Sequence, residues 1–293
     1  MDWTSLARLL APPLHASVSG PMLYLALLAL GLVVGVLTGF FGVGGGFLVV
    51  PLLNVVLGIN YEVAVGSSLS FIIGTSFSGV LRQRQEGNVH FRVAVYLAAG
   101  SVAGAVLGDG LQNLLLFGAA GGDTAVFTPI MHSIFILVLI ATMWSVRVPK
   151  KKRPLKTAET KLLDVSRGFG VPATILTGLI IGTMTGLLGI GGGVILVPIL
   201  LGLFGLEHRR AAGTSLAVIF ATAVAGIVKK GMADIPKVSL PLTLLLLVGS
   251  VLGVQLGIFL VRRVGAGDFR RYFVYVLLLA IAMILADLAG MLL

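Results

Sequence analysis

Long apolar runs separated by short polar stretches set the pattern of this chain: 23–36, 93–106, 134–143, 238–254 and 272–285. None alternates apolar and polar residues with a period of two, as the strands of a membrane barrel would. Together they are more apolar surface than a soluble core can bury. The pattern predicts an all-α polytopic membrane protein, with spans near 21–40, 65–82, 92–109 and 126–146, then 170–189, 212–229, 238–261 and 271–292. Two further helical segments, 46–58 and 193–205, reach only about 20 Å at 1.5 Å per residue. The hydrocarbon core is about 30 Å thick. Each is therefore expected to be a half-helix or one arm of a re-entrant pair.

The two short segments follow nearly identical glycine-rich stretches, GFFGVGGGFLVVPLL (39–53) and GLLGIGGGVILVPIL (186–200). At an offset of 147, 11 of 24 positions are identical between 35–58 and 182–205. The match continues in 64–79 against 211–226 and returns at GSVAG (100–104) and GSVLG (249–253). Three blocks in the same order mark a duplication. The first repeat takes residues 1–146, a basic linker 147–169, and the second repeat 170–293. Five crossings per half would make the repeats inverted, each with four long helices and one short broken or re-entrant helix after its glycine turn.

Glycine within hydrocarbon needs a reason, because each backbone group must be satisfied inside the protein. Small residues four apart, such as Gly35–Gly39 and Gly42–Gly46, let helices approach closely. Packing alone does not account for Gly44–Gly46, since consecutive glycines weaken a helix by about 1 kcal/mol each. A glycine turn opening a short helix presents free N–H groups and the positive end of the helix dipole to the membrane interior, which suits an anion. Broken helices of this kind recur at the binding sites of transporters with internal repeats.

The doubled GxxGxGGGxxxxPxL segment resembles the sulfite exporter TauE/SafE family of membrane permeases. The resemblance covers both halves apart from the linker and the first twenty residues. It implies export of a small anion, an organosulfur compound such as sulfite, sulfoacetate or a related sulfonate, without fixing which. By motif it carries over Gly42, Gly44, Gly45, Gly46 and Pro51, with Gly189, Gly191, Gly192, Gly193 and Pro198 in the second copy, and the eight glycines are the expected substrate-binding positions among them.

Polar residues that could complete such a site come from the residue pattern alone. Ser67 and Ser68 align with Thr214 and Ser215, each pair at the start of the span after a short helix. They either bond to their own helix carbonyls or face the opposite glycine cluster and donate to the ligand. Thr38 and Thr185 lie just before the glycine turns. Asn54 aligns with Leu201 and breaks the symmetry. Arg82 aligns with Lys229 and is expected to snorkel to the interface. His132 lies inside a span without a repeat partner. Asp109, Asp123 and Asp287 fall near span ends, so no carboxylate is expected near a span centre, where cation carriers and proton pumps place them. On that ground the flux is expected to be export without built-in proton or sodium coupling.

Charge adds an orientation. Only 11% of residues are charged, yet the formal net charge is +10. With 147–167 cytoplasmic and the halves inverted, 17 of the 21 Lys and Arg lie inside; with parallel halves the split is 15 to 6. The excess follows the positive-inside rule rather than nucleic-acid binding. Residues 229–237 (KKGMADIPK) fit it poorly. The first twenty residues do not read as a cleaved signal. There is no cysteine, and neither G-x-S-x-G nor H-E-x-x-H occurs. No enzyme activity and no cofactor or metal are expected. The expected partners are a small anionic substrate and the lipid bilayer, with no nucleic acid; an oligomer is compatible with the sequence. The expected location is the cell inner membrane, multi-pass. The alternative is a membrane-embedded enzyme or assembly factor without transport activity.

Overall fold

A computed structural model describes residues 20–56, 61–119, 121, 124–147, 170–189, 191–233 and 240–292. The described residues form ten α-helices and no strand. In the first half these are α1 (Gly20–Phe41), α2 (Gly46–Pro51), α3 (Tyr61–Gln85), α4 (Phe91–Leu114) and α5 (Thr124–Arg147). In the second they are α6 (Gly170–Leu188), α7 (Gly193–Gly202), α8 (His208–Ala233), α9 (Leu240–Val261) and α10 (Ala266–Leu292). All but α2 and α7 are long and apolar enough to cross a membrane, giving eight candidate spans among the described residues. The expected four long helices and one short one per half are therefore present. The basic linker, except Arg147, and Asp123 lie outside the described residues.

The longest contacts join the halves. A side chain on Gly31, Gly35 or Gly39 of α1 would fall on the backbone of Leu246, Ser250 or Val254 of α9. In return, Gly249, Gly253 and Gly257 of α9 lie against Leu28, Leu32 and Val36. The same arrangement joins α6 and α4: Gly178, Gly182 and Gly186 meet Leu97, Ser101 and Ala105, while Gly100, Gly104 and Gly108 meet Ile175, Leu179 and Thr183. Two glycine zippers thus bring backbone against backbone. Between helices in lipid, where no hydrophobic force draws apolar faces together, close van der Waals packing is what holds them.

Residue numbers rise together across each zipper, so α1 runs parallel to α9 and α6 parallel to α4. Gly74 and Gly79 of α3 lie against Leu247 and Val254, so α3 is also parallel to α9 and hence to α1. The chain between α1 and α3, which contains α2, must therefore return across the bundle. Between α3 and α8 the numbers run oppositely: Phe77 packs on Phe220 with ring centroids 5.6 Å apart, Gly79 on Leu216, and Gly226 on Leu69. These two corresponding helices are antiparallel at the centre. Ser101 and Thr222 share a hydrogen bond of 2.6 Å between α4 and α8. Near the end of α1, Phe41 sits 5.3 Å from Phe269 and 5.2 Å from Phe273, centroid to centroid, which ties the start of α10 to the same end of the bundle.

The short segments differ from each other. In α7 the helix continues past Pro198 to Gly202. In the first half the α-helix stops at Pro51 and a π-helical turn, Leu52–Val56, follows. Proline lacks the N–H that would continue the ladder, and wide turns of this kind often mark functional positions. Asn54 lies on that turn.

Candidate functional site

Both long helices that precede the breaks end at a glycine in the left-handed region. In the first half Gly42, Gly44 and Gly45 have φ of 72°, 77° and 76°; in the second Gly189, Gly191 and Gly192 have 67°, 72° and 65°. Other residues rarely adopt this conformation, and its repetition at equivalent positions means both breaks have one backbone shape. Gly45 and Gly192 are the N-caps of α2 and α7. The first bonds of α2 are Leu48 and Val49 N–H to the Gly45 carbonyl, and those of α7 are Ile195 and Leu196 to Gly192. The N–H groups of Gly46, Phe47, Gly193 and Val194 precede those ladders, as at any helix start.

The two breaks touch. A side chain on Gly193 would fall on the Val43 carbonyl of the other half. A Cβ on Gly44 would come 2.9 Å from Ile219 Cγ2, and one on Gly191 2.9 Å from Ile72 Cδ1. Ile72 and Ile219 are aligned in the repeat and lie halfway along α3 and α8, so the meeting point is central. From it α2 leads toward the start of α3 and α7 toward the start of α8, at opposite ends of the bundle. Two short helices thus leave the centre in opposite directions, with their N-termini together. Residues 41–51 are all buried, as are 191–194.

Hydroxyls lock each break to the other half. Ser68 Oγ donates to the Gly189 carbonyl at 3.2 Å, and Ser215 Oγ donates to the Gly42 carbonyl. Both serines face the opposite glycine cluster, and Ser215 Oγ also lies 3.0 Å from the Ala212 carbonyl of its own helix. Within each half, Thr38 donates to Val34 O at 2.8 Å and Thr185 to Ile181 O at 2.9 Å; their hydroxyls lie under Gly45 and Gly192. Thr214 is elsewhere: its hydroxyl accepts from the His90 N–H at 3.0 Å, where α4 begins. Ser67 is buried on α3 and Asn54 half-buried on the π-helical turn. The structure thus gathers the eight glycines, Ser68 and Ser215 at the centre and leaves Thr214 outside it.

Sequence reasoning missed Val43, Ile72 and Ile219, the residues between the breaks. The identity of Ile72 and Ile219 at the repeat offset was the signal available for them.

The ionisable residues differ from their sequence expectation. His132 does not stand alone: its Nδ1 lies 3.3 Å from Asp287 Oδ2, joining α5 to α10. Asp109 is not an ordinary end residue; it is buried within α4, near the equally buried Gln112. Both errors have one cause. The distance of a carboxylate from a span end says nothing about the face it occupies.

The basic residues gather at one end. Arg262 and Arg82 both pair with Glu86, the latter at 3.0 Å, and Arg209 donates to the Arg262 carbonyl at 2.6 Å. That end carries the close of α3, α5 and α9 and the start of α4, α8 and α10. Lys229 and Lys230, on the last turns of α8, are at the other end.

A family model described as sulfite exporter TauE/SafE matches residues 27–284, which include both glycine breaks. The chain is 34% identical over 236 residues to a Bacillus subtilis protein named "Probable membrane transporter protein YjnA", covering 79% of this chain and 88% of the relative. It is 27% identical over 258 residues to a probable membrane transporter protein of Methanocaldococcus jannaschii, covering 83% and 88%. A Xylella fastidiosa protein named in the same way is 28% identical over 244 residues, covering 80% and 84%. No solved structure matches the chain.

Proposed function

The chain belongs to the sulfite exporter TauE/SafE family and is a multi-pass membrane transporter, and on that premise we propose that it exports a small organosulfur anion by alternating access at its paired glycine breaks. Sulfite, sulfoacetate and related sulfonates are the substrate class. The observation that carries this reading is the meeting of two helix N-termini, one from each half, at the centre of the bundle. Two positive dipole ends and unladdered N–H groups suit a small oxyanion, and the absence of side chains lets it approach the backbone.

Inverted repeats supply the mechanism. In this reading the antiparallel pair α3 and α8 is the pseudo-symmetry centre, and the halves exchange roles when the site opens to the other side. Ser68 and Ser215 hold the closed arrangement, and an anion entering between the breaks takes over the donors around them. In this reading the arginine-rich end is cytoplasmic, the linker lies inside and the membrane is the inner one.

Direction follows from charge. Moving one charge across about 100 mV is worth about 2.3 kcal/mol, so an anion leaves a negative interior downhill. In this reading His132 and Asp287, which tie α5 to α10, act as a structural pair.

Thermal unfolding of the purified protein against a panel of small anions tests the substrate class. An anion at 100 times its dissociation constant adds about 2.7 kcal/mol of stability. Sulfite or a sulfonate should raise the melting temperature where chloride at equal ionic strength does not. Equal response to all anions contradicts the reading.

A further inference from the structure

Away from the glycine breaks, α3 and α9 border a groove of about 480 Å³ that opens sideways on the membrane-facing surface. Its floor is Gly74 and its apolar walls include Phe77, Leu247 and Val251. Two polar side chains interrupt it: Gln255 Nε2 donates to Ser78 Oγ at 3.0 Å. A hydrogen-bonded amide and hydroxyl facing hydrocarbon are costly, and the repeat-equivalent positions do without them. The aligned positions on α8 and α4 are Ala225 and Val106, and Ala221 stands where the floor glycine is.

At the arginine-rich end, Arg82 lines the mouth of the groove. Arg82 and Arg262 share the single carboxylate of Glu86, so this cluster keeps a net positive charge. Along α3, Arg82 stands four residues beyond Ser78, about 6 Å at 1.5 Å per residue; along α9, Arg262 stands about 10 Å beyond Gln255. The order from the interface inward is therefore cation, hydrogen-bonding pair, apolar trough. A phospholipid presents the complementary order: phosphate, glycerol esters, acyl chain.

We propose that this groove is a binding site for one anionic phospholipid, with its phosphate at Arg82, its ester groups at Ser78 and Gln255, and an acyl chain against Phe77, Leu247 and Val251. Basic pockets between transmembrane helices bind anionic headgroups, and here the charge has a matched trough beneath it. Since α9 is zipped to α1, the lipid bears on the helix pair that frames the first glycine break.

The test uses the purified full-length protein, stripped of lipid in mild detergent. It is titrated with phosphatidylglycerol or with phosphatidylcholine of the same chains. Thermal unfolding and native mass spectrometry give the response and the number of lipids retained. Phosphatidylglycerol should raise the melting temperature and stay bound as one molecule. Arg82→Gln and Gln255→Leu, both at exposed side chains, should each weaken it at least tenfold without changing the response to phosphatidylcholine. Equal response to the two lipids, or unchanged affinity in both variants, overturns the proposal. So does an equal shift from inorganic phosphate, which would make this a free-anion site. A dimer lost in the variants without any lipid dependence would make the face a protein interface and also overturn it.

Discussion

Ser68 Oγ donates to the carbonyl of Gly189, 121 residues further along the chain, at 3.2 Å. Ser215 makes the counterpart contact on Gly42. Each half thus closes the other's glycine break with one hydroxyl. Removing a hydroxyl leaves a buried carbonyl without its donor, which costs about 1–3 kcal/mol. Ser68→Ala and Ser215→Ala should each destabilise the protein by about that much in chemical unfolding, and Ser68→Thr should recover part of the loss. The two alanine variants should have similar effects, because each removes the donor that reaches the opposite break.

The glycines divide into two kinds with different failures. In the zippers, Gly35 and Gly182 lie on the backbones of Ser250 and Ser101, so Gly35→Leu or Gly182→Leu should abolish folding, read as lost monodisperse protein after extraction. At the breaks, Gly45 and Gly192 have positive φ, and a side chain would meet the Thr38 or Thr185 hydroxyl. Leucine there cannot leave the melting temperature unchanged. Alanine is the informative substitution: about 1–2 kcal/mol for the left-handed backbone, in addition to moving the threonine hydroxyl that its methyl group meets, with transport lost in the protein that still folds.

Topology is testable because the chain has no cysteine. Single cysteines replacing Gly265, between α9 and α10, and Leu155, in the linker, should be shielded from an impermeant thiol reagent in intact cells. A cysteine replacing Ala233, the last residue of α8, should be labelled. Shielding at 233 with labelling at 265 is the pattern that parallel halves require and would refute the inverted arrangement.

His132 and Asp287 give the fourth prediction. Polar contacts inside helical membrane proteins average about 0.6 kcal/mol in double-mutant cycles. His132→Gln and Asp287→Asn should lower stability by about that amount, and the double variant by little more than either. Both should keep most of the anion flux in liposomes without a pH gradient. Flux that needs a proton gradient and vanishes in His132→Gln would turn the pair into a coupling element.

Much of this is legible in the sequence. The doubled motif marked both breaks, the 147-residue offset marked the repeat, and two short segments between long ones marked where the chain turns back. Ser68 and Ser215 were found because hydroxyls aligned across a duplication next to a glycine turn. The zippers were harder. Gly31, Gly35 and Gly39 show the spacing plainly, but nothing local says that their partner is α9 rather than a neighbour in sequence. His132 and Asp287 are far apart in the chain and outside the repeat register, so no pattern connected them. The π-helical turn after Pro51 was invisible because Pro198, in the same setting, leaves its helix intact.

The central claim is that the paired breaks carry an anion across the membrane. It is tested most directly in liposomes containing only the purified protein, loaded with radiolabelled sulfite or sulfoacetate, under an imposed potential negative inside. Efflux should rise with the potential, persist without proton or sodium gradients, and be lost in Gly193→Ala, whose methyl group meets the Val43 carbonyl of the opposite break. Absence of anion efflux from the folded wild-type protein, or efflux unchanged in folded Gly193→Ala, would contradict the account.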